Sequence, residues 1–438
     1  MERLITKDLI KWKDDEKRKP LLLTGVRQCG KTYILKDFGE RYFNNICYIN
    51  FESSRKYSNI FEFDFDVKRI IREIEFIEDT KIIAGETLVV FDEIQDCPKA
   101  ITSLKYFCEE YPELHVVAAG SLLGVALKQM NISFPVGKVN RMKLYPMSFE
   151  EFIIAMGEQK YIDLFSNWDS NREIPVAFSN PFEKLLKTYY IVGGMPEAVR
   201  EFVDTNDFNA VAKIQDDILS DYADDFSKHA PISEIEKIRM IWTSIPKQLA
   251  KENNKFVFSH VKEGKRAHEL ESSLQWLKNA GLIQILELVN NAELPLSTNA
   301  DATYFKVYMS DIGLLSRMLG LSIYSFMDEN NGLKTSKGAI VENYAMNELI
   351  CMNKTPYFWK SGNTAELDFI FEKDENVVPL EIKSATNTQA KSYKQFCKKY
   401  NPKVGCKSSL KNIATNYVED TNTISLPLYL IWNIDYYI

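Results

Sequence analysis

The sequence has little of several residue types that define other protein classes. Glycine occupies 18 of 438 positions, histidine occupies four, and the seven cysteines form no CxxC pair. Collagen-like and disulfide-stapled chains are therefore excluded, and reduced buried thiols are favoured over a zinc site. With 54 basic and 61 acidic residues, the formal net charge is −7. This balance argues against a protein that coats nucleic acid through bulk positive charge, but it leaves a local basic patch open.

Long hydrophobic runs are also missing. No uncharged apolar stretch reaches the length of about 18 residues that a membrane-spanning helix needs. The N-terminus is charged from its second residue and has no apolar core of secretory length. The sequence therefore predicts a cytoplasmic protein without a membrane partner. Hydrophobic residues still make up 45% of the chain, which excludes a disordered protein and allows several separate cores.

The N-terminal third alternates apolar runs with amphipathic stretches. An apolar run at 19–25 precedes a helical pattern at 33–42, and helical spacing recurs at 67–77 and 100–111. Further strands are predicted at 46–51, 87–91, 115–119 and 138–144. This alternation is typical of a parallel sheet covered by helices on both faces. We therefore expect an α/β fold for this part of the chain.

The pattern changes three times along the rest of the chain. It turns helical after Ser148, and then shows the order helix, short apolar stretch, helix and strand that suits a winged helix-turn-helix. Mixed α/β signals return near Asp301. The sequence thus predicts four parts: an α/β domain with a parallel sheet, a helical lid, a winged helix and a C-terminal α/β domain, at 1–147, 148–228, 229–300 and 301–438.

One motif carries specific chemistry. Gly25 to Thr32 reads GVRQCGKT, fits GxxxxGK(S/T), follows an apolar strand and opens a helix. In such a loop the backbone N–H groups wrap phosphate oxygens, Gly25 and Gly30 allow close approach, and Lys31 binds the β- and γ-phosphates. The Thr32 hydroxyl is a ligand for Mg²⁺. The alternative is a glycine turn before an ordinary helix.

Two strand ends downstream support a nucleotide site. The apolar strand LVVFDE ends in Asp92, which would hold Mg²⁺, and Glu93, which would polarise the attacking water. Ser121 follows the next strand, where P-loop ATPases with an extra strand between the motif strands place a residue that contacts the γ-phosphate. The alternatives are a solvated strand end and a serine that caps the following helix.

Six segments resemble a known family. They read GVRQCGKT, YINFE, LVVFDEIQDCPKAITSLKYF, AAGSLLG, FPVGKVNRMKLYPMSFEEF and YYIVGGMPEAV. They resemble prokaryotic ATP-binding proteins of the AAA superfamily that carry a C-terminal domain of unknown function, and the resemblance covers nearly the whole chain. It implies ATP and Mg²⁺ as cofactors. The nucleotide-binding residues expected from it and from the motif are Gly25, Arg27, Gln28, Cys29, Gly30, Lys31, Thr32 and Tyr33.

The resemblance also implies a cation that senses or stabilises the transferred phosphate. Relatives have arginine directly after the glycine of GKVNRMKL, whereas this chain has Lys138 there and Arg141 three residues on. Arg141 is the preferred catalytic candidate because a planar guanidinium binds phosphate bidentately. Arg200, after GGMPEAV, is a weaker candidate from the helical lid.

The C-terminal part contains a second possible site. Glu342 on a predicted helix, Asp368 and Glu381 on successive strands, and Lys383 resemble the D…(D/E)xK core of restriction-endonuclease-like nucleases. Three carboxylates could hold Mg²⁺, and Lys383, on the same strand face as Glu381, could position water. The alternative is two ordinary alternating strands.

DNA is a candidate partner of two segments. Between residues 384 and 411 there are seven lysines and no acid, with Tyr393, Phe396 and Tyr400 interleaved, which could follow a phosphate backbone. The alternative is a solvated helix face. The second helix of the predicted winged helix carries as many acids as bases near its start, so we favour a packing or hinge role for that module over DNA reading.

Taken together, the sequence predicts an AAA-type ATPase that hydrolyses ATP with Mg²⁺ to control a nuclease-like C-terminal domain. Two alternatives stay open. One is an active Mg²⁺-dependent DNA nuclease regulated by ATP, and the other is a non-catalytic module, stabilised by ATP, that binds DNA or protein.

Overall fold

The structure is a computed structural model. It describes residues 1–53, 55–121, 134–251, 255–262, 266–327, 334–362, 365–384 and 391–438. The chain divides into two compact units, Met1–Pro146 with Asn279–Gly281 and Met147–Lys278 with Leu282–Ile438. Within the described ranges, none of the helices combines the length and the apolar character that crossing a membrane requires.

The first unit is built on one sheet. Its strands are β1 (Leu21–Gly25), β2 (Asn45–Asn50), β3 (Thr87–Asp92), β4 (His115–Gly120) and β5 (Asn140–Leu144). Its helices are α1 (Ile5–Asp14), α2 (Lys31–Tyr42), α3 (Arg55–Ile60), α4 (Val67–Glu78) and α5 (Pro98–Glu110). All strand pairs are parallel, in the order β2-β3-β4-β1-β5. The predicted parallel sheet is confirmed, and β4 is the extra strand between β1 and β3.

Local sequence explains these elements. Every residue of β3 and β4 is buried, as expected for central strands with both faces covered. α4 buries Val67, Ile70, Ile71 and Ile74, which recur at helical spacing, and Asp66 caps it by accepting a hydrogen bond from the Arg69 N–H. Packing of this helix and of α5 against β2 and β3 contributes to the core of the unit.

The second unit begins with helices. They are α6 (Phe149–Ala155), α7 (Gln159–Phe165), α8 (Val176–Val192), α9 (Pro196–Thr205), α10 (Phe208–His229), α11 (Ile232–Leu249) and α12 (Ala267–Asn279). Steric crowding explains the two glycines of the GGMP motif between α8 and α9. A Cβ at Gly194 would lie 2.1 Å from the Met147 carbonyl oxygen, and Gly193 has φ of 75°. The Gly194 N–H donates to the buried Asp311 carboxylate at 2.7 Å.

A buried carboxyl group fixes the start of α6. Ser148 and Glu151 form a capping box at this helix, and Glu348 accepts a hydrogen bond from the Phe149 N–H at 2.8 Å. Burial raises the pKa of the Glu348 carboxyl to about 8, although the hydrogen bond from Phe149 opposes this shift. The group is therefore mostly neutral at pH 7, which reduces the cost of burying it.

The remainder of the second unit contains a mixed sheet. Its strands are β6 (Ile283–Val289), β7 (Ala300–Met309), β8 (Tyr357–Ser361), β9 (Ala365–Lys373), β10 (Asn376–Ile382), β11 (Val404–Ser409), β12 (Ala414–Val418) and β13 (Thr421–Pro427). Its helices are α13 (Ile312–Met318), α14 (Ile323–Met327), α15 (Lys334–Cys351), α16 (Lys391–Tyr400) and α17 (Ile434–Tyr437). The strand order is β12-β13-β11-β10-β9-β8-β6-β7.

The segment predicted as a winged helix has part of the expected pattern. β6 and β7 pair antiparallel. The backbone of Lys255, between α11 and α12, forms an isolated antiparallel β-bridge with that of Lys306 on β7. The hairpin is not separate, however, because β6 also pairs parallel with β8. The predicted boundary at residue 300 falls at the first residue of β7. Both the winged helix and the division into four parts stay predictions.

Candidate functional site

The phosphate loop lies at the carboxyl end of β1 and leads into α2. Gln28 and Gly30 both have left-handed backbone conformations, with φ of 65° and 96°. Gly25 is required for a different reason, because a Cβ there would lie 2.3 Å from the Leu144 carbonyl oxygen on β5. Close packing at Gly25 and the turn at Gly30 therefore shape the loop that precedes the helix.

The loop lysine is held over the loop. Lys31 is 5% exposed, and its Nζ donates hydrogen bonds to the carbonyl oxygens of Gly25 at 3.0 Å and Val26 at 2.9 Å. A buried ammonium group needs acceptors, and backbone carbonyls provide them here. Because neither acceptor is ionised, a phosphate oxygen would be a stronger partner for the same group.

The first predicted metal ligands are in direct contact. The Thr32 Oγ1 donates to Asp92 Oδ2 at 2.7 Å, although Thr32 lies in the first turn of α2 and Asp92 ends β3. Asp92 is buried, and the Tyr48 hydroxyl of β2 donates to the same oxygen at 2.7 Å. Burial, and next the hydrogen bond to Asp92, raise the pKa of the Tyr48 hydroxyl well above its usual range, so Tyr48 stays a donor.

Glu93 and Ser121 meet at the neighbouring strand ends. Glu93 has a left-handed φ of 49°, and its Oε2 accepts hydrogen bonds from Gln95 Nε2 at 2.6 Å and Ser121 Oγ at 3.4 Å. The tips of β3 and β4 are thereby connected. The residues that follow Ser121, where it was alternatively expected to cap a helix, lie outside the described residues. The structure thus brings Thr32, Asp92, Glu93 and Ser121 to one edge of the sheet.

The remaining predicted loop residues differ in exposure. Cys29 is fully buried, and its thiol donates to the Leu144 carbonyl oxygen at 3.6 Å. Arg27 and Gln28 are half-buried, whereas Tyr33 on α2 is 51% exposed. The thiol of Cys29 thus contacts β5, and only the Cys29 backbone is left to contact nucleotide. Nucleotide contact by Cys29, Arg27, Gln28 and Tyr33 stays a prediction.

Each candidate phosphate-sensing cation has a partner within its own unit. Arg141 on β5 is in register with Leu22, three residues before the end of β1, and its guanidinium lies 4.6 Å from the centre of the Phe134 ring. Lys138 forms an ion pair with Glu109 at 2.9 Å. In the second unit, Arg200 on α9 is exposed and lies 3.7 Å from Asp204. The sensing role of each stays a prediction.

Comparisons with known families agree with this geometry. Residues 17–153 match the AAA domain family, and residues 183–324 and 337–430 match the domains of unknown function DUF8612 and DUF4143. The parallel sheet, the loop and the family match agree: the first unit has the fold expected of a P-loop domain and is similar to the AAA domain family. No curated protein matches the chain.

Similar solved structures are distant. The Walker-type ATPase PABY2304 of Pyrococcus abyssi is 15% identical, with 72% of this chain and 94% of that chain covered and a TM-score of 0.44. The Aeropyrum pernix ORC2 protein, in its ADPNP-ADP complexes, is 10% identical, with 74% of this chain and 88% of that chain covered and a TM-score of 0.37.

A charged cluster lies in the second unit, where the sequence predicts a nuclease-like site. Lys383 Nζ lies 2.6 Å from Glu381 Oε1 and 3.9 Å from Asp368 Oδ2. Asp368 also accepts a hydrogen bond from the Ile382 N–H at 2.8 Å, whereas Glu381 Oε2 is buried and has no hydrogen-bond partner among the described residues. Burial, followed by repulsion from Glu381 and Glu342, raises the pKa of Asp368.

Glu342 is held by residues that the sequence analysis missed. It accepts a hydrogen bond from the Tyr308 hydroxyl at 3.1 Å and lies 3.7 Å from the buried Lys306 Nζ. Lys306 also pairs with Glu366 at 2.8 Å. The sequence did carry a signal for Lys306, since it is a lysine inside the otherwise apolar strand YFKVYM. In the part of the chain that the structure describes, no three His, Cys, Asp or Glu side chains group so that they could hold a metal ion. The metal role of this cluster stays a prediction.

Two of the three aromatic residues of the lysine-rich segment are buried, which corrects the expectation for them. Tyr393 and Phe396 of α16 are fully buried, and the Tyr400 hydroxyl accepts a hydrogen bond from Trp359 Nε1 at 3.2 Å. The Tyr393 and Phe396 rings belong to the core, because α16 packs against β9, and Tyr400 is partly buried against the same core. Tyr393 and Phe396 are therefore not available to stack on bases. The exposed residues of the helix are Lys391, Lys394, Gln395, Lys398 and Lys399. Residues 385–390 lie outside the described part.

Proposed function

We propose that the chain hydrolyses ATP with Mg²⁺ at the phosphate loop. The observation that carries the proposal is the contact of Thr32 with Asp92 at 2.7 Å, beside the contact of Glu93 with Ser121. These two contacts bring together α2, the end of β3 and the residue that follows β4, which are distant in the sequence. Backbone N–H groups of the loop bind phosphate, and Lys31 neutralises its charge.

The residues at the loop fit Mg²⁺. Thr32 and Asp92 are both oxygen donors, and Mg²⁺ prefers oxygen ligands and retains several waters, so two protein donors are enough. When bound, the ion would neutralise charge on the β- and γ-phosphates. Glu93 then orients the attacking water and accepts its proton, while Ser121 holds the Glu93 carboxylate. Tyr48 keeps Asp92 oriented.

Release of phosphate from ATP tests the proposal. We expect turnover with Mg²⁺ and none with excess EDTA, because the phosphate charge is then not neutralised. The assay should follow both phosphate and ADP with the purified full-length chain. ATP that stays intact with Mg²⁺ present, under conditions where the chain binds ATP, would leave the non-catalytic, ATP-stabilised binding module as the better description.

The consequence of hydrolysis is proposed to be control of the second unit. β5 ends at Leu144, and the second unit starts at Met147, so a short stretch of chain links the sheet that carries the phosphate loop to the second unit. A change at the sheet edge during the ATP cycle could pass along this stretch. The partner would be DNA, contacted through the exposed lysines of α16, or another protein.

A second candidate function is DNA cleavage by the charged cluster. The specific observation is that Lys383 Nζ lies 2.6 Å from Glu381 and 3.9 Å from Asp368, so the structure brings three of the four residues of the nuclease-like pattern together. In that role, Asp368 and Glu381 would hold Mg²⁺ and Lys383 would stabilise charge on the phosphate. Lys383 pairs with both of these carboxylates, and Lys306 lies beside Glu342, which weakens the case for a metal site.

The double variant Asp368→Asn, Glu381→Gln tests this candidate. These changes keep size and hydrogen-bond acceptors but remove both charges, so we expect Mg²⁺-dependent cutting of plasmid DNA to fall by about 100-fold or more. Glu375→Gln, in the exposed turn of the same hairpin, is the matched control. Cutting that survives in the double variant would assign the activity to another site or to a contaminant.

A further inference from the structure

A buried arginine joins the phosphate loop to the end of β5. Arg3, which precedes α1, is 5% exposed. Its Nη1 donates to the Cys29 carbonyl at 2.9 Å, and its Nη2 donates to the Tyr145 carbonyl at 2.7 Å. We propose that Arg3 is a positioning residue that holds the phosphate loop in its nucleotide-binding form. This inference rests on the proposed ATP function.

The position of the Cys29 carbonyl explains why the loop needs such a partner. Cys29 lies between Gln28 and Gly30, which are both left-handed. A loop that offers its N–H groups to phosphate must satisfy its carbonyl groups elsewhere. The guanidinium supplies a charged donor for the Cys29 carbonyl, and it therefore stabilises the backbone turn on which phosphate binding depends.

Arg3 strengthens the contact between the phosphate loop and the end of β5, which is otherwise made by uncharged groups. Gly25 packs directly against the Leu144 carbonyl, and the Cys29 thiol, a weak donor, bonds to the same carbonyl at 3.6 Å. Arg3 binds the next carbonyl along the chain, that of Tyr145. Three contacts thus hold the loop to two adjacent carbonyls at the end of β5, and Arg3 provides the charged hydrogen bonds among them.

The helix that follows Arg3 holds it in place. α1 buries Leu9 and Trp12, and the Trp12 indole N–H donates to the Lys19 carbonyl at 2.8 Å, just before β1. The backbone that carries Arg3 is therefore anchored to the sheet independently of the phosphate loop. Little additional ordering is needed when the arginine binds the loop, so the two hydrogen bonds can act on the loop itself.

The geometry requires an arginine. Two nitrogens of one planar fork reach two carbonyls on different segments, which a single ammonium group does less well. The conservative variant Arg3→Lys would therefore keep the positive charge but lose part of this bridge.

The experiment compares Arg3→Lys and Arg3→Gln with the wild type and with Arg18→Lys. Arg18 is a matched control because it also donates to two carbonyls, those of Asp15 at 3.4 Å and Glu113 at 2.8 Å, but it lies before β1. Affinity for a fluorescent ATP analogue is measured by titration. Amide hydrogen exchange of residues 26–33 is measured without nucleotide, and KM and kcat for ATP are measured separately.

We expect Arg3→Lys to weaken ATP binding about tenfold, the effect of losing one charged hydrogen bond. KM should rise more than kcat falls, because the loop binds ground state and transition state alike. Amides at 26–33 should exchange faster, and Arg18→Lys should match the wild type in every measurement. Arg3→Gln should have a larger effect than Arg3→Lys; if it fails to fold, Arg3→Lys decides.

Two results separate this inference from the proposed function. A folded Arg3→Lys protein with wild-type affinity for ATP would overturn the positioning role. If the wild type itself binds no ATP, the proposed function fails. Exchange at 26–33 then still reports on Arg3: faster exchange in Arg3→Lys supports its hold on the loop, and unchanged exchange refutes it.

Discussion

Replacing Lys31 with alanine is expected to lower the affinity for ATP by about 100-fold or more, because the loop loses the point charge that is positioned for the phosphates. The wild-type ammonium is already buried and directed to two loop carbonyls, so it needs little reorganisation to bind. Equilibrium titration with ATP and Mg²⁺ measures the effect. A thermal unfolding curve for each protein checks that the variant is folded.

Lys11→Ala is the control for this variant. Lys11 is an exposed lysine on α1 of the same unit, and it forms an ion pair with the exposed Asp8. Removing it changes the net charge equally, and we expect no change in affinity. Retained ATP binding in Lys31→Ala would mean that the loop does not hold the triphosphate, and the proposed function would have to be withdrawn.

Glu93→Gln is expected to bind ATP normally and to hydrolyse it at least about 100-fold more slowly, the usual loss when a general base is removed. Glutamine keeps the size of the side chain and an oxygen that can accept from Gln95 or Ser121, so the sheet edge should stay intact. Single-turnover measurement of phosphate release separates chemistry from product release.

Glu110→Gln, at the exposed end of α5, removes one negative charge without touching the sheet edge. We expect it to turn over ATP like the wild type. Normal turnover in Glu93→Gln, measured beside this control, would assign the general base to another residue. Loss of ATP binding in Glu93→Gln would instead show that Glu93 supports the structure of the site.

Much of the first unit could be predicted from sequence because its determinants are local. β3 and β4 are short apolar runs, and α4 shows its buried face through residue spacing alone. GVRQCGKT predicts a loop because two glycines and a lysine at fixed spacing meet conformational and charge requirements within eight residues. The predicted strands and helices agree with the structure to within about two residues at most of their ends.

The sequence analysis missed residues whose hydrogen-bond partners lie far away in the sequence. Tyr48 bonds to Asp92, and Arg3 bonds to Cys29 and Tyr145, yet each looks like an ordinary polar residue in its own segment. Their partners depend on strand order and on which side chains face the same edge. A pattern search within one segment contains no information about either.

In the second unit, the sequence again identified residues but not their contacts. The sequence indicated Glu342, Asp368, Glu381 and Lys383 through their types and order, but not that Lys306 and Tyr308 would occupy the surroundings of Glu342. It also left open which side of α16 faces solvent. The structure decides this, because Tyr393 and Phe396 fill the core.

By itself, the sequence determined the elements of the first unit and the phosphate loop, since backbone preference, burial pattern and glycine geometry operate between neighbouring residues. Only the tertiary structure decided that Thr32 donates directly to Asp92, that Tyr48 donates to the same carboxylate, and that Arg3 joins the loop to the end of β5. These contacts arise when distant strand ends are brought to one edge of a packed sheet, where a few ångströms determine which polar groups are partners.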